Sequence, residues 1–242
     1  MRLATSVIAA LIAATAWTTP VSAGDVADVN VLGFSADGGV FAFEEYGVQD
    51  GSGFPYANRF YIDTTTDKFL PGTPIRVRLD DEARTVGEAR AEAAKSGQKI
   101  IADAVLEQNR GHTAGFSPVT EFSSDPHRMV VNPRPVFSPV DPEFEVRLQE
   151  FPLNGDPLCE SQGEVVGFRL VRIDPSPDGQ TKLIHEDKTL PKSRNCPNGY
   201  RIGGIQTGDI QHTLTSYAVL IAVRSYGFEG PDFRWIAVTG RF

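Results

Sequence analysis

The stretch "GFSADGGVFAFEEYGVQDGSGFPY", residues 33–56, combines the features that decide the fold. An Asp-Gly-Gly turn precedes an apolar run, the run ends in Tyr46-Gly47, and an acidic glycine-rich loop follows. Asp-Gly and Gly-Gly pairs favour tight turns between strands. The stretch therefore predicts a strand–turn–strand unit that mostly serves folding rather than catalysis.

Strand patterns recur along the chain. Phe144, Val146 and Leu148 alternate with polar residues, which is the period of a half-buried strand. Segments 164–173 and 181–185 flank the turn-forming "DPSPDGQ" and predict a hairpin. Residues 218–223, "AVLIAV", are apolar on both faces, as a central strand would be, and "FRWIAVT" near the end predicts the closing strand. No convincing strand precedes the glycine-rich "GGIQTG" (203–208), which makes a nucleotide site there a weak candidate.

One segment has a helical composition. Residues 85–110 are rich in Ala, Glu, Lys and Gln, and Thr85 and Glu88 have the spacing of a capping box. Gly97 divides or kinks this segment, and Gly111 supplies a stop. Residues 112–142 are rich in Pro and Ser and predict either a long connection or short edge strands, and any domain boundary would lie there.

These patterns together predict the architecture. We expect a mainly β protein of antiparallel sheets, propeller-like or sandwich-like, with one helical insertion near residues 85–110. We expect residues 24–242 to form a single domain.

Two similar hairpins lie near the ends of this domain. "VFAFEEYG" (40–47) aligns with "LIAVRSYG" (220–227) at an offset of 180, and each is followed by an acidic loop and an Arg-aromatic pair. Hairpins with similar apolar faces cannot be buried alone. We therefore expect both in one sheet or in adjacent sheets, with their Tyr-Gly ends on the same side of the molecule.

The first 23 residues have the three parts of a signal peptide. Arg2 is followed by the apolar run 7–16, and Val21-Ser22-Ala23 fits the small-x-small cleavage rule. The run is shorter than the roughly 20 apolar residues that cross a bilayer. The sequence therefore predicts a secreted or periplasmic protein whose mature chain has no membrane span.

The charge balance disfavours two classes of partner. The formal net charge is −8, with 23 Lys and Arg against 31 Asp and Glu, and no stripe of basic residues is present. Such a chain is a poor candidate for binding nucleic acid or an anionic membrane. The remaining partners are an envelope protein or a small ligand.

Cys159 and Cys196 are the only cysteines. In an exported protein two cysteines are expected to pair, because the compartment is oxidising. A catalytic thiol or a metal pair is disfavoured, because the two are far apart and neither has a CxxC motif or an adjacent His.

Two resemblances accompany these patterns. "FSADGGVFAF" resembles one strand–turn–strand signature of TolB-type β-propeller repeats, with Ala36 where that motif has proline; one copy is fewer than the four to eight blades of a closed propeller. The start of the mature chain, "GDVADVNVLGFSADGGVFAFEEYGVQDGSGFPY", and its end, "YGFEGPDFRWIAVTG", resemble a family of bacterial predicted secreted proteins, domain of unknown function 2259. That resemblance implies a signal peptide and an envelope location, and it carries no catalytic residues.

Few motifs indicate chemistry. The four histidines, His112, His127, His185 and His212, have no spacing typical of a metal site, and we predict neither a metal nor a cofactor. Glu44, Glu45, Asp50 and Asp63 are candidates for calcium binding or for a paired-carboxylate hydrolase. A hydrolase using Glu45 and Asp50 is the alternative to the leading hypothesis, and the sequence does not decide whether the protein is an enzyme.

The leading hypothesis is a non-enzymatic binding module. Aromatic and polar side chains on loops are typical of recognition surfaces, although the aromatic rings could instead fold back onto the sheet. The candidate binding residues lie on and beside the two hairpin loops: Tyr46, Asp50, Phe54, Tyr56, Tyr226, Phe228, Glu229, Asp232 and Arg234.

Overall fold

The computed structural model describes residues 24–153, 159, 161, 163–176, 178–228 and 230–242. The predicted signal peptide, residues 1–23, lies outside the described residues. Within them thirteen strands form three antiparallel sheets, which confirms the mainly β prediction.

Each sheet is named here by its place in the stack. The N-terminal sheet contains β1 (Asp28–Phe34), β2 (Val40–Val48), β3 (Pro55–Asp63), β4 (Lys68–Phe69) and β5 (Ile75–Arg78), with both short strands paired to β3. The central sheet has the order β13 (Pro231–Arg241), β12 (Thr213–Tyr226), β11 (Pro197–Ile210) and β6 (His112–Phe116). The outer sheet has the order β10 (Lys182–Glu186), β9 (Val166–Ile173), β8 (Phe144–Pro152) and β7 (Arg128–Val131).

The central sheet is buried on both faces, as the apolar run 218–223 predicts. Val219 and Ile221 belong to a core shared with the outer sheet. Leu220 and Ala222 belong to a second core shared with Phe43 of the N-terminal sheet. Each large apolar side chain buried in this way contributes about 1.5–3 kcal/mol. The three sheets therefore stack face to face. Of the two predicted arrangements, propeller-like and sandwich-like, this is the sandwich-like one.

The turn between β1 and β2 shows why the opening stretch folds as it does. Asp37 Oδ1 accepts hydrogen bonds from Ser35 Oγ (2.6 Å) and from the Gly39 amide (2.9 Å). Gly38 has a φ of +65°, which glycine adopts without strain. The "SADGG" sequence thus closes the turn with its own side chains.

The two terminal hairpins lie in adjacent sheets and run in the same direction. Just before β2 the Gly38 carbonyl accepts a hydrogen bond from Ser216 Oγ of β12 (2.7 Å). Near the end of β2 the Glu45 carboxylate accepts one from the Trp235 amide of β13 (2.7 Å). The expectation that both Tyr-Gly ends lie on one side is confirmed.

The helical insertion consists of α1 (Val86–Gly97) and α2 (Asp103–Gln108). Thr85 and Glu88 form the predicted capping box of α1. Ala89 and Ala93 of α1 are buried in one cluster with Ala57 of β3, so the helix covers the outer face of the N-terminal sheet.

Some predicted boundaries were wrong. β2 does not end at Tyr46 but pairs with β3 as far as Val48. The "GGIQTG" segment lies inside β11, where Gly203 leaves room for the Trp235 ring; a Cβ there would approach it to 2.2 Å. The sequence pattern concealed this strand because glycines replace the expected side chains.

Region 112–142 contains two of the short edge strands that its composition allowed. β6 ends the central sheet and β7 ends the outer sheet, so this region contributes to two layers. That residues 24–242 form a single domain stays a prediction.

Candidate functional site

A groove lies beside β13, the edge strand of the central sheet, between the N-terminal sheet and a short segment that precedes β11. Its main hollow has a volume of about 460 Å³. Ligand pockets commonly enclose about 300–1,000 Å³, so the hollow can hold a small organic molecule. The lining residues come from all three parts: Glu45, Asn58, Phe60, Phe69, Arg76, Lys192, Ser193, Arg194, Asn195, Val223, Ser225, Arg234, Trp235 and Ile236.

A second hollow continues the groove towards the β2–β3 loop. It also has a volume of about 460 Å³ and shares Asn58, Arg76, Asn195 and Arg234 with the first. Tyr56 and Arg78 line only this second hollow. The groove is therefore elongated, with Arg76 and Arg234 at its middle.

Two of the lining cations are anchored by buried acids. Arg194 donates to Asp187 Oδ2 at 2.6 Å, and its guanidinium lies 4.9 Å from the Phe168 ring. Arg234 donates to the Asp25 carboxylate and lies over the Tyr56 ring at 4.9 Å. Arginine is suited to such sites because its planar charge stacks on rings while its edge donates hydrogen bonds.

The other two cations of the main hollow, unlike Arg194 and Arg234, are not anchored by an acid in the described part of the chain. Among the described residues, Arg76 and Lys192 form no ion pair with an acid, and both are exposed residues. Arg76 lies 5.8 Å from the Phe60 ring. These two positive charges remain available to a ligand, whereas those of Arg194 and Arg234 are largely compensated.

Among the residues that the structure describes, Glu45 is the one carboxylate that lines the main hollow, and it is only 3% exposed. It accepts hydrogen bonds from Asn58 Nδ2 (2.9 Å) and from the Trp235 amide (2.7 Å). Burial raises the pKa of Glu45, against the opposing effect of these hydrogen bonds and of nearby Arg234 and Arg76. By binding an amide at the free edge of β13, Glu45 also blocks that edge from pairing with another chain.

The wall opposite Glu45 is the segment 192–195. A 3-10 turn, Lys192–Arg194, leads into Asn195, which has a φ of +53°, and then into Cys196. Cys196 forms a disulfide with Cys159, which confirms the predicted pairing. The Arg194–Asp187 ion pair and the disulfide anchor the C-terminal part of this wall.

The predicted binding residues divide between this groove and other surfaces. Tyr56 and Arg234 line the groove. Asp232 lies behind it and accepts a hydrogen bond from the Asp25 amide (2.9 Å); burial, together with the charges of Asp25 and Asp50, raises the pKa of Asp232.

Of the remaining candidates, those that the structure describes do not line either hollow. Tyr46 faces α1, where Arg90 lies over its ring at 4.0 Å. Arg78 lies 5.9 Å from the Phe54 ring, and Phe228 is 85% exposed. Tyr226 is 44% exposed, Asp50 lies in the β2–β3 loop, and Glu229 lies outside the described residues.

The other acidic candidates have structural partners. Glu44 pairs with Arg59 and Arg90 beneath α1. Asp63 accepts hydrogen bonds from the amides of Thr65 and Thr66 in the β3–β4 turn. In the part of the chain that the structure describes, no three His, Cys, Asp or Glu side chains converge as metal ligands.

Sequence patterns missed three of the four cations that line the main hollow. Arg76 alternates with apolar residues in "IRVR", so a period-2 analysis of β5 would have placed it on the opposite face from Ile75. Lys192 and Arg194 lie in an irregular segment whose position depends on the disulfide, and no local pattern reports their approach to Glu45.

Comparison with known proteins gives one result. A family model described as predicted secreted protein, domain of unknown function 2259, matches residues 42–241. The chain belongs to this family. The match confirms the resemblance to this family and the secreted location. A search of curated proteins finds no significant match. Among the described residues, no helix is long and apolar enough to span a membrane.

Proposed function

We propose that this secreted protein is a non-enzymatic binding module whose ligand occupies the groove beside the two terminal hairpins. The observation that carries the proposal is the composition of the groove wall. Arg76, Lys192, Arg194 and Arg234 line the main hollow together with Glu45, which is its one carboxylate among the described residues, in a protein whose net charge is −8. Cations concentrated against the overall charge indicate selection for a ligand rather than for solubility.

The architecture of the groove supports the same proposal. Its walls come from the N-terminal sheet, from β13 and from the disulfide-anchored segment 192–195, so the binding groups are attached to rigid elements. A groove built in this way needs little reorganisation when a ligand enters, and affinity is then not spent on ordering loops.

The alternative remains a hydrolase that uses Glu45 and Asp50. Glu45 lines the main hollow, and its raised pKa is a property of many general acids. Asp50 does not line either hollow, so a Glu45–Asp50 pair would have to act elsewhere.

Native mass spectrometry tests the binding proposal. The full chain is exported from a bacterial host, recovered without denaturation and examined for a non-covalent adduct. Ser193→Trp fills the groove from an exposed position, and Ser96→Trp on α1 is the matched control for the same substitution. We expect an adduct on the wild-type protein and on S96W, and its loss from S193W. An adduct that S193W retains, or no adduct on the wild-type protein, contradicts the proposal.

A further inference from the structure

We propose that the ligand of this groove is an amphipathic organic anion, with its charged group bound by Arg76 and Lys192 and its apolar body against Phe69 and Ile236. The proposal rests on the binding function proposed above and specifies the chemistry of the ligand.

The charge of the ligand follows from the compensation of the groove cations. Arg194 and Arg234 already share their charge with Asp187 and Asp25. Arg76 and Lys192 have no acidic partner among the described residues, yet both line the main hollow. A carboxylate or a sulfonate placed between them would gain charge-assisted hydrogen bonds without breaking an existing ion pair.

The apolar part follows from the rest of the wall. Phe69 is 48% exposed on β4, and its ring centroid lies 6.1 Å from that of buried Phe60. Ile236 of β13 adds a further apolar side chain to the lining of the main hollow. An exposed aromatic ring beside a buried one forms a platform on which a flat or branched apolar group gains contact area.

The hydrogen bonds of Glu45 are compatible with an anionic ligand and give no preference for a cationic one. Glu45 has both oxygens engaged by Asn58 and Trp235, so it needs no further donor from a ligand. Arg76 and Lys192 line the same hollow as Glu45, and their positive charges would repel a ligand ammonium.

Three probes with one ring system separate these contributions. 2-Naphthoate, 2-naphthalenemethanol and 2-naphthylmethylamine differ mainly in head-group charge, and isothermal titration calorimetry measures their affinity for the wild-type protein. We expect 2-naphthoate to bind at least about tenfold more tightly than the alcohol, and the amine to bind most weakly. Raising the ionic strength should reduce the difference in affinity between 2-naphthoate and the alcohol, because it weakens only the binding of the charged probe.

Charge-matched variants then locate the anion. R76Q combined with K192Q should reduce naphthoate affinity about tenfold or more and change alcohol affinity less than about twofold. The control K95Q combined with K99Q removes the same charge from exposed positions at the end of α1 and should leave both affinities unchanged.

The outcomes distinguish this inference from the function on which it rests. Equal affinity for naphthoate and the alcohol, with both lost in S193W, would retain the groove as a binding site and overturn the anionic class. Naphthoate binding that S193W does not reduce, or no binding of naphthoate at all, also overturns the inference, while the adduct experiment decides the binding function independently.

Discussion

Two neighbouring glutamates on β2 show how the two faces of one strand acquire different roles. Glu44 is 1% exposed and Glu45 is 3% exposed, but they point to opposite sides of the N-terminal sheet. Glu44 faces the helices and pairs with Arg90 at 3.0 Å and with Arg59 at 3.6 Å. Glu45 faces the groove and has only neutral donors as direct partners.

The difference teaches that burial alone does not identify a functional carboxylate. A buried acid with cationic partners on its own fold is neutralised and holds α1 to the sheet. A buried acid that faces an accessible hollow, with neutral donors and a raised pKa, contributes to the chemistry of that hollow. The variants that follow test this distinction in order of decreasing expected effect.

The largest effect should come from breaking the helix-facing network. Glu44→Gln leaves Arg59, whose side chain is 6% exposed, with Asp103 as its remaining ion-pair partner. Removing one member of a buried ion pair costs about 3–5 kcal/mol, and we expect the lower end because Asp103 remains. Urea unfolding measures the loss. If Glu44→Gln and Glu45→Gln are equally destabilising at neutral pH, the two faces do not differ as argued.

The next largest effect should come from the disulfide that anchors the groove wall. Replacing both Cys159 and Cys196 by Ser should lower the free energy of unfolding by about 3–4 kcal/mol, because the bond closes a loop across 37 positions. Loss of the disulfide should disturb the structure of the groove more than the face of the N-terminal sheet that α1 covers, because Cys196 directly follows segment 192–195. Naphthoate affinity should therefore fall under native conditions, and unchanged affinity would show that the wall is held without the disulfide.

Several elements of the fold can be predicted from the sequence alone, and others cannot. Alternating segments, the run 218–223 and the capping box at Thr85 predict β8, β12 and α1 because each depends on local periodicity or on a local cap. β11 escapes such analysis because its glycines are explained by distant residues: Gly203 by the Trp235 ring and Gly208 by the Phe34 ring.

The site is less predictable than the fold. Arg234 and Tyr56 belong to the similar hairpins and are found by comparing them. Lys192 and Arg194 reach the groove through a disulfide and a buried ion pair, which are long-range contacts. Nor does the sequence "EE" at 44–45 indicate which glutamate faces the helices, because that depends on which sheet covers which face.

A smaller, pH-dependent effect should distinguish Glu45. Its pKa is raised in the folded protein from the usual 4.5, so the folded state binds more protons than the unfolded state above that pH. The free energy of unfolding of the wild-type protein should therefore gain a contribution that is present at low pH and is lost as pH rises through the folded pKa. Glu45→Gln has no such titration.

The comparison of the two proteins across pH gives the measurement. At about pH 4.5 the neutral amide and the neutral acid should differ by no more than about 1 kcal/mol, the value of one hydrogen bond. The stability of E45Q relative to wild type should then increase as pH rises, measured by urea unfolding at a series of pH values. A difference that stays constant with pH would mean that Glu45 titrates alike in both states.

The smallest effect on the folded protein should come from Asp50→Asn, which also separates the binding hypothesis from the hydrolase hypothesis. Asp50 lies in the β2–β3 loop outside the lining of the groove, and its charge raises the pKa of Asp232. The substitution keeps the side-chain volume, so stability should change by less than about 0.5 kcal/mol and naphthoate affinity by less than about twofold. Nuclear magnetic resonance titration should show a lower pKa of Asp232, because one neighbouring negative charge has gone.

A carboxylate-dependent hydrolase would behave differently in the same variant. The test is whether the wild-type protein turns over a chromogenic glycoside or ester. If it does, and D50N abolishes that turnover while binding stays intact, Asp50 acts in catalysis and the groove is not the functional centre. Turnover that survives D50N but is lost in E45Q would instead place the chemistry on the groove face of β2, the face that carries Glu45.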